Sequence, residues 1–83
     1  MTQREVIDRM QEVFDRVFLD AVVLTPDLRA ADVPEWDSFA QISLLVGLER
    51  AFGIRFRTGE TDALGNVGEF ADLIRRRLSE PGA

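Results

Sequence analysis

A serine that lies between an acid and a large apolar residue, in Asp37-Ser38-Phe39, is the clearest candidate for chemistry in this chain of 83 residues. A serine hydroxyl acts as a nucleophile only when a base lies within hydrogen-bond reach. The sequence has no histidine, cysteine or lysine, so the usual bases and the commonest metal ligands are missing. The neighbouring carboxylate is a poor base for an unperturbed alcohol. We therefore predict that no residue of this chain is catalytic.

Metal and phosphate sites are not predicted either. Asp32, Glu35 and Asp37 follow one another closely, but they lack the glycine and the terminal glutamate of a calcium loop. The glycines are scattered and none of them precedes a lysine, so the chain has no glycine-rich phosphate loop. A protein that acts by being modified or bound fits these residues better than an enzyme does.

Two roles are compatible with the position of Ser38, at the junction of a long connection and an apolar helix. The structural interpretation is that Ser38 or Asp37 only caps the helix, because both residue types are preferred there. The functional interpretation is that a large partner reaches an exposed hydroxyl. A phosphodiester attached to that hydroxyl would lie near unpaired amides at the positive end of the helix.

Net charge and hydropathy exclude several classes of partner. The formal net charge is −5, which argues against nucleic acid. Residues 20–49 contain six acids and a single arginine, so this segment is either a solubilising surface or a docking field for basic partners. No apolar run approaches the roughly 20 residues that span a bilayer. We predict a cytoplasmic protein that does not associate with membranes.

Apolar residues recur at helical spacing in three segments. The first helix follows the capping box Thr2-Gln3-Arg4-Glu5 and ends near Leu19. The second runs from about Ser38 to Phe52, where Gly53 suits a left-handed cap. The broad apolar face of this second helix predicts that it is the central helix of the bundle. Its packed stripe consists of Phe39, Ile42, Leu45, Val46 and Glu49, and it is widened by Leu44, Leu48 and Phe52.

The third helix starts after Asn66, and Arg75-Arg76-Arg77 complement the dipole at its end. A possible short helix covers residues 60–64, which would complete a four-helix bundle. The proline-containing segment 20–37 is predicted to be an ordered loop. The fold class is therefore all-α, a small bundle of three principal helices plus a possible short helix, with a long ordered loop between the first two. Residues 1–83 form a single domain, with 80–83 as a frayed tail.

A known family shares this arrangement. The Asp-Ser-(large apolar) motif, the apolar helix after it and the pattern Leu-Glu-x-x-Phe-Gly-Ile-x-Phe at residues 48–56 resemble the acyl carrier protein family, which includes peptidyl and aminoacyl carriers. The resemblance covers most of the chain. It implies that Ser38 carries 4'-phosphopantetheine, transferred from coenzyme A by a separate magnesium-dependent phosphopantetheinyl transferase. It also implies that acyl groups are held as thioesters, and that Asp37 and Phe39 flank the attachment site.

The chain departs from the family pattern at three places. Phe39 replaces the usual leucine, although it is still able to pack into the core, and Trp36 replaces a small or polar residue. The helix after Ser38 carries few acids, which predicts a stand-alone, monomeric carrier of a specialised lipid or polyketide-type pathway. Its partners would be acyl- or aminoacyl-loading enzymes and downstream synthases. Candidate partner contacts are Asp32, Glu35, Trp36, Gln41 and Ile42.

Two alternatives to this hypothesis remain. One is an aminoacyl or peptidyl carrier of a nonribosomal pathway. The other belongs to a different class: an unmodified helical protein-interaction module in which Ser38 is only a cap.

Overall fold

The computed structural model describes residues 1–57 and 59–80, and within them the chain forms three α-helices. They are α1 (Gln3–Val17), α2 (Ser38–Phe52) and α3 (Val67–Ser79), and a short 3-10 helix covers Ala30–Asp32. The prediction of a small all-α bundle is confirmed. The possible helix at residues 60–64 is not found: this segment forms successive turns. None of the described helices has the length and apolar character needed to cross a bilayer.

The helix ends follow from local sequence signals. The Thr2 hydroxyl accepts a hydrogen bond from the Glu5 amide at 3.1 Å, and the Glu5 carboxylate accepts one from the Thr2 amide at 2.9 Å. This reciprocal capping box starts α1 as predicted. Gly53 ends α2 in the left-handed region, with φ of +67°. The side chain of Asn66 accepts from the Glu69 amide and starts α3.

Helix α1, and not α2, is the central element of the bundle, because it packs against both of the other helices. The prediction that α2 is central is wrong. The side chains that α1 contributes to the core include Val6, Met10, Val13 and Phe14, all of which are almost fully buried. Facing them are Leu44 and Leu48 of α2, and Val67, Ala71 and Ile74 of α3.

The long connection between α1 and α2 is ordered, as predicted, because side-chain and backbone groups of α1 and α3 hold its backbone. The side chain of Gln11 donates to the Val22 carbonyl at 2.6 Å and accepts from the Leu24 amide at 3.0 Å. The first amides of α3, those of Val67 and Gly68, donate to carbonyls of the same connection at 2.8 Å each. These bonds satisfy backbone groups on both partners.

A buried arginine ties the connection between α2 and α3, called the second connection from here on, to α3. Arg77 is 5% exposed, and its guanidinium pairs with the carboxylates of Glu60 and Glu80. The hydrogen bond from Arg77, together with one from the Arg57 amide, lowers the pKa of the Glu60 carboxyl. Helix-dipole complementarity is therefore not the main role of Arg77. Glu80, assigned above to the tail, binds Arg77, and residues 81–83 of that tail lie outside the described residues.

Candidate functional site

Ser38 is the first residue of α2, and its neighbour performs the capping. The Asp37 carboxylate accepts a hydrogen bond from the Ala40 amide at 2.8 Å, and the Asp37 carbonyl accepts from the Gln41 amide at 2.9 Å. Ser38 is exposed, and its hydroxyl makes no hydrogen bond with any residue the structure describes. Of the two candidate caps, Asp37 is thus the one used, and the serine hydroxyl remains accessible.

The first two backbone N–H groups of α2 can still donate hydrogen bonds. Within residues 1–57 and 59–80, no acceptor is found for the backbone N–H groups of Ser38 and Phe39. Such amides at the positive end of a helix attract an anion. A negatively charged group on the Ser38 oxygen would therefore lie where two donors and the helix dipole favour it.

A cleft of about 550 Å³ opens directly beside Ser38. Ser38, Gln41 and Ile42 form its α2 side. Thr61 and Asn66 of the second connection and Phe70 of α3 contribute to the opposite side. The cleft therefore separates the start of α2 from α3, and its lining combines apolar side chains with hydroxyl and amide groups.

Trp36 is partly buried and packs against the core. Its ring makes an edge-to-face contact with Phe14, with centroids 5.2 Å apart, and a tilted contact with Phe18 at 6.2 Å. Its indole N–H donates to the side-chain oxygen of Gln41 at 2.6 Å. Two of the candidate partner contacts, Trp36 and Gln41, therefore bind each other and join the long connection to α2.

The exposed face of α2 differs from the prediction. Phe39 is 78% exposed, Ile42 63% and Val46 44%, so the predicted packed stripe is wrong at these three positions. The buried stripe consists instead of Ala40, Leu44, Leu48 and Phe52. Apolar side chains occupy both sides of α2, and periodicity alone does not distinguish which side α1 covers.

The two remaining candidate partner contacts, Asp32 and Glu35, lie on the long connection and do not line the Ser38 cleft. Asp32 ends the 3-10 helix, and its carboxylate accepts from the Arg29 amide at 3.0 Å. Asp32 and Glu35 line a separate groove of about 300 Å³, together with Asp20 and an apolar floor that includes Val22. The structure therefore separates the acidic candidates from the group formed by Trp36, Gln41 and Ile42.

Sequence reasoning missed the part of the site that comes from the C-terminal half of the chain. Thr61, Asn66 and Phe70 reach the cleft because α3 docks on α1 and because the second connection folds back. No motif links these residues to Ser38. The role of Glu49 is clearer: its carboxylate accepts from the Phe56 amide at 2.7 Å, so it holds the turn that leaves α2.

Known proteins share this helical arrangement. The chain matches no protein-family model. It is 29% identical over 75 residues to an acyl carrier protein of Rubrobacter xylanophilus, a match that covers 89% of this chain and 93% of the relative. It is 24% identical over 80 residues to an acyl carrier protein of Thermosynechococcus vestitus, over 95% and 99% of the two chains.

A solved structure agrees with these two relatives. The solution NMR structure of the holo acyl carrier protein from Geobacter metallireducens superimposes with a TM-score of 0.73 and 37% sequence identity. The match covers 94% of this chain and 86% of that one. Sequence and fold therefore point the same way over nearly the whole length, and the chain belongs to the acyl carrier protein family.

Proposed function

We propose that this protein carries acyl groups on a phosphopantetheine arm attached to the hydroxyl of Ser38. The observation that carries the proposal is the exposed Ser38 hydroxyl at the first residue of α2, which is not used to cap the helix and lies beside a cleft. The chain has no histidine, cysteine or lysine to activate that hydroxyl, so a separate transferase supplies the catalytic groups. Family membership provides independent support for a carrier role.

The residues around Ser38 fit a phosphodiester. The N–H groups of Ser38 and Phe39 are available to its oxygens, and Asp37 fixes the helix start by capping it. In the transfer, the Ser38 oxygen forms a bond to phosphorus, coenzyme A loses its adenosine bisphosphate portion, and the hydroxyl proton passes to a base of the transferase. When attached, the arm supplies a thiol that holds acyl groups as thioesters.

We further propose a monomeric, stand-alone carrier of a specialised lipid or polyketide-type pathway. The support is the composition of α2, whose charged residues are limited to Glu49 and Arg50. The Glu49 carboxylate is engaged by the Phe56 amide. The enzymes that load and unload this carrier therefore meet a surface with few carboxylates beside Ser38. Asp32 and Glu35 remain candidate contacts in a separate groove on the long connection.

Intact-mass spectrometry tests the attachment site. The protein is incubated with coenzyme A, Mg²⁺ and a broad-specificity phosphopantetheinyl transferase. We expect a gain of one phosphopantetheine that Ser38→Ala abolishes. Ser43→Ala is the matched control, because Ser43 lies on the same helix, and it should leave the gain intact. The absence of any gain with several transferases would favour an unmodified interaction module instead.

A further inference from the structure

The hydrogen bond between Trp36 and Gln41 fixes the orientation of the Gln41 side-chain amide beside Ser38. The acceptor atom lies 2.6 Å from the indole nitrogen of Trp36. An indole N–H can only donate, so the atom that faces it must be the amide oxygen of Gln41 and not the amide nitrogen. The NH2 group of Gln41 is therefore left with two N–H donors. No acceptor for them is found within residues 1–57 and 59–80.

Trp36 can hold this orientation because its own ring is held by the core. The ring packs edge-to-face against Phe14 and at a tilt against Phe18, and both phenylalanines are buried. A free glutamine side chain loses rotamer freedom when it is fixed in one conformation. In this protein the bond to a packed indole has already met that cost in the folded state. Gln41 is therefore a preorganised donor, and Trp36 is the residue that positions it.

The Gln41 amide lies on the same wall of the cleft as the Ser38 hydroxyl. Residues three apart on a helix are neighbours, with Cβ atoms about 5–6 Å from each other. Helical side chains also lean toward the N-terminus, so that of Gln41 extends back over the turn that begins at Ser38. Its bond to Trp36, which precedes Ser38, agrees with this direction. Both Ser38 and Gln41 line the cleft of about 550 Å³.

The charges around the cleft make a neutral donor at this position important. Asp37 and Asp62 also line the cleft, and their carboxylates repel an anion placed there. In the part of the chain that the structure describes, the lining includes no arginine that could offset them. An anionic group on the Ser38 oxygen therefore depends on N–H donors. The NH2 group of Gln41 is a side-chain donor that adds no negative charge of its own.

We infer that Gln41 donates a hydrogen bond from its side-chain NH2 group to the phosphodiester on Ser38, and that Trp36 positions Gln41 for this contact. The inference rests on the proposed attachment of phosphopantetheine to Ser38. A hydrogen bond to a charged acceptor is stronger than one between neutral groups. Because the phosphodiester exists only after modification, this bond stabilises the holo form and not the apo form. It also joins the arm, through Gln41 and Trp36, to the aromatic side chains of the core.

Unfolding of the apo and holo forms of Gln41→Glu tests this contact. A glutamate keeps an acceptor for the Trp36 N–H but has no donor, and it adds a negative charge beside the phosphodiester. Each variant is modified to completion, as intact mass shows, so that the rate of transfer does not affect the result. Urea unfolding then gives the folding equilibrium constant of both forms. The ratio of the holo to the apo constant should be about tenfold lower in Gln41→Glu than in the wild type, the effect of losing one hydrogen bond to a charged group.

Asn66→Asp is the matched control for the added charge. Asn66 lines the same cleft from the second connection, and its side-chain oxygen caps α3. The substitution therefore places a carboxylate in the cleft and keeps the cap acceptor. It should lower the ratio of holo to apo constants far less than Gln41→Glu does.

Side-chain NMR signals provide a readout that does not depend on stability. In 15N-labelled wild-type protein, the NH2 signals of Gln41 are identified by their absence from Gln41→Glu. They should shift when the arm is attached, whereas those of Gln11 on α1, which does not line the cleft, should not. In Trp36→Phe the indole donor is lost and the Gln41 amide is free to turn, so the shift should be smaller.

The possible outcomes separate this inference from the proposal on which it rests. If wild-type protein gains mass but the Gln41 signals do not shift and Gln41→Glu has the wild-type ratio, the contact is wrong and the attachment site stands. An equal loss in Asn66→Asp would also overturn the contact, because charge in the cleft alone would then explain the effect. A full shift in Trp36→Phe would overturn the positioning role of Trp36. If wild-type protein gains no mass with any transferase, the proposed function fails, and the inference fails with it.

Discussion

At the scale of single residues, the start of α2 divides two roles between adjacent side chains. Asp37 caps the helix through its carboxylate. A serine at the same position could also fill this capping role. Ser38 is therefore the first residue inside the helix, with an exposed side chain. The acid in this motif has a structural role, and that role is what keeps the hydroxyl accessible.

The contact between Trp36 and Gln41 predicts a measurable coupling. Gln41→Ala should lower the free energy of unfolding by about 1 kcal/mol, because a partly buried hydrogen bond is lost. Urea unfolding followed by circular dichroism measures this change. Trp36 is the single tryptophan of the chain, so its emission should shift to longer wavelength in the same variant as the indole gains water.

A double-mutant cycle provides the control for this prediction. Trp36→Phe keeps an aromatic ring against Phe14 but removes the N–H donor. Adding Gln41→Ala to Trp36→Phe should then cost much less than Gln41→Ala costs in the wild type. Additive losses would show that the two side chains stabilise the fold independently, and that the bond has little energetic role.

At the scale of helices, a close approach between α1 and α2 depends on Gly47. A Cβ atom at this position would lie 2.8 Å from Cγ1 of Val13, whose branched side chain has little rotational freedom. Gly47→Ala should therefore destabilise the protein by about 1–3 kcal/mol, although alanine is the better helix former. Thermal unfolding measures the change.

A second substitution distinguishes the steric effect from the loss of a glycine. Gly47→Ala combined with Val13→Ala removes the clash, and the new methyl group should then cost less than it does alone. A Gly47→Ala variant as stable as the wild type would mean that α1 and α2 adjust their spacing without cost.

Helix boundaries could be predicted from the sequence because their signals are local. Asp37 and Gly53 act within one turn of the residues they cap, and α2 has the predicted bounds. Which side of α2 is buried could not be predicted in this way. Leu44 and Ile42 are equally apolar in the sequence, and only the position of α1 decides that one is buried and the other exposed.

The residues of the candidate site also fall into those that a local motif predicts and those that only the tertiary structure brings together. Ser38 and Asp37 belong to a contiguous motif, so sequence reasoning identifies them as candidates. Phe70 and Asn66 reach the cleft through the docking of α3 and the path of the second connection. The ion pair of Arg77 could not be predicted for the same reason, because its partner Glu60 is 17 residues away in the chain. Contacts of this kind depend on tertiary structure, which local patterns do not encode.

At the scale of the whole molecule, the pair formed by Glu60 and Arg77 links the loop beside the Ser38 cleft to the end of α3. Glu60 immediately precedes Thr61, a residue of the cleft wall. Arg77 is buried and also binds Glu80, so one cation holds two carboxylates. Loosening this pair should alter the loop before it affects the packing of α1 against α2.

Stability should therefore depend on pH through Glu60. The bonds from Arg77 and from the Arg57 amide lower the pKa of its carboxyl from 4.5. A carboxyl whose pKa is lower in the folded state stabilises that state above its unfolded pKa, and the stabilisation is lost as the pH falls through the lowered value. Glu60→Gln should thus reduce Tm by several degrees at pH 7. The difference from the wild type should narrow as the pH falls below about 4.5.

The comparison of Tm between wild type and variant across pH removes contributions common to both proteins. The Glu5 carboxyl, whose pKa its bonds to Thr2 also lower, is one such contribution. Glu12→Gln is the matched control, because Glu12 is exposed and forms no ion pair within residues 1–57 and 59–80. It should change Tm little at any pH. A deficit of Glu60→Gln that stays equal at pH 3 and pH 7 would assign the effect to side-chain packing. The charge of Glu60 would then have no part in holding the loop beside Ser38.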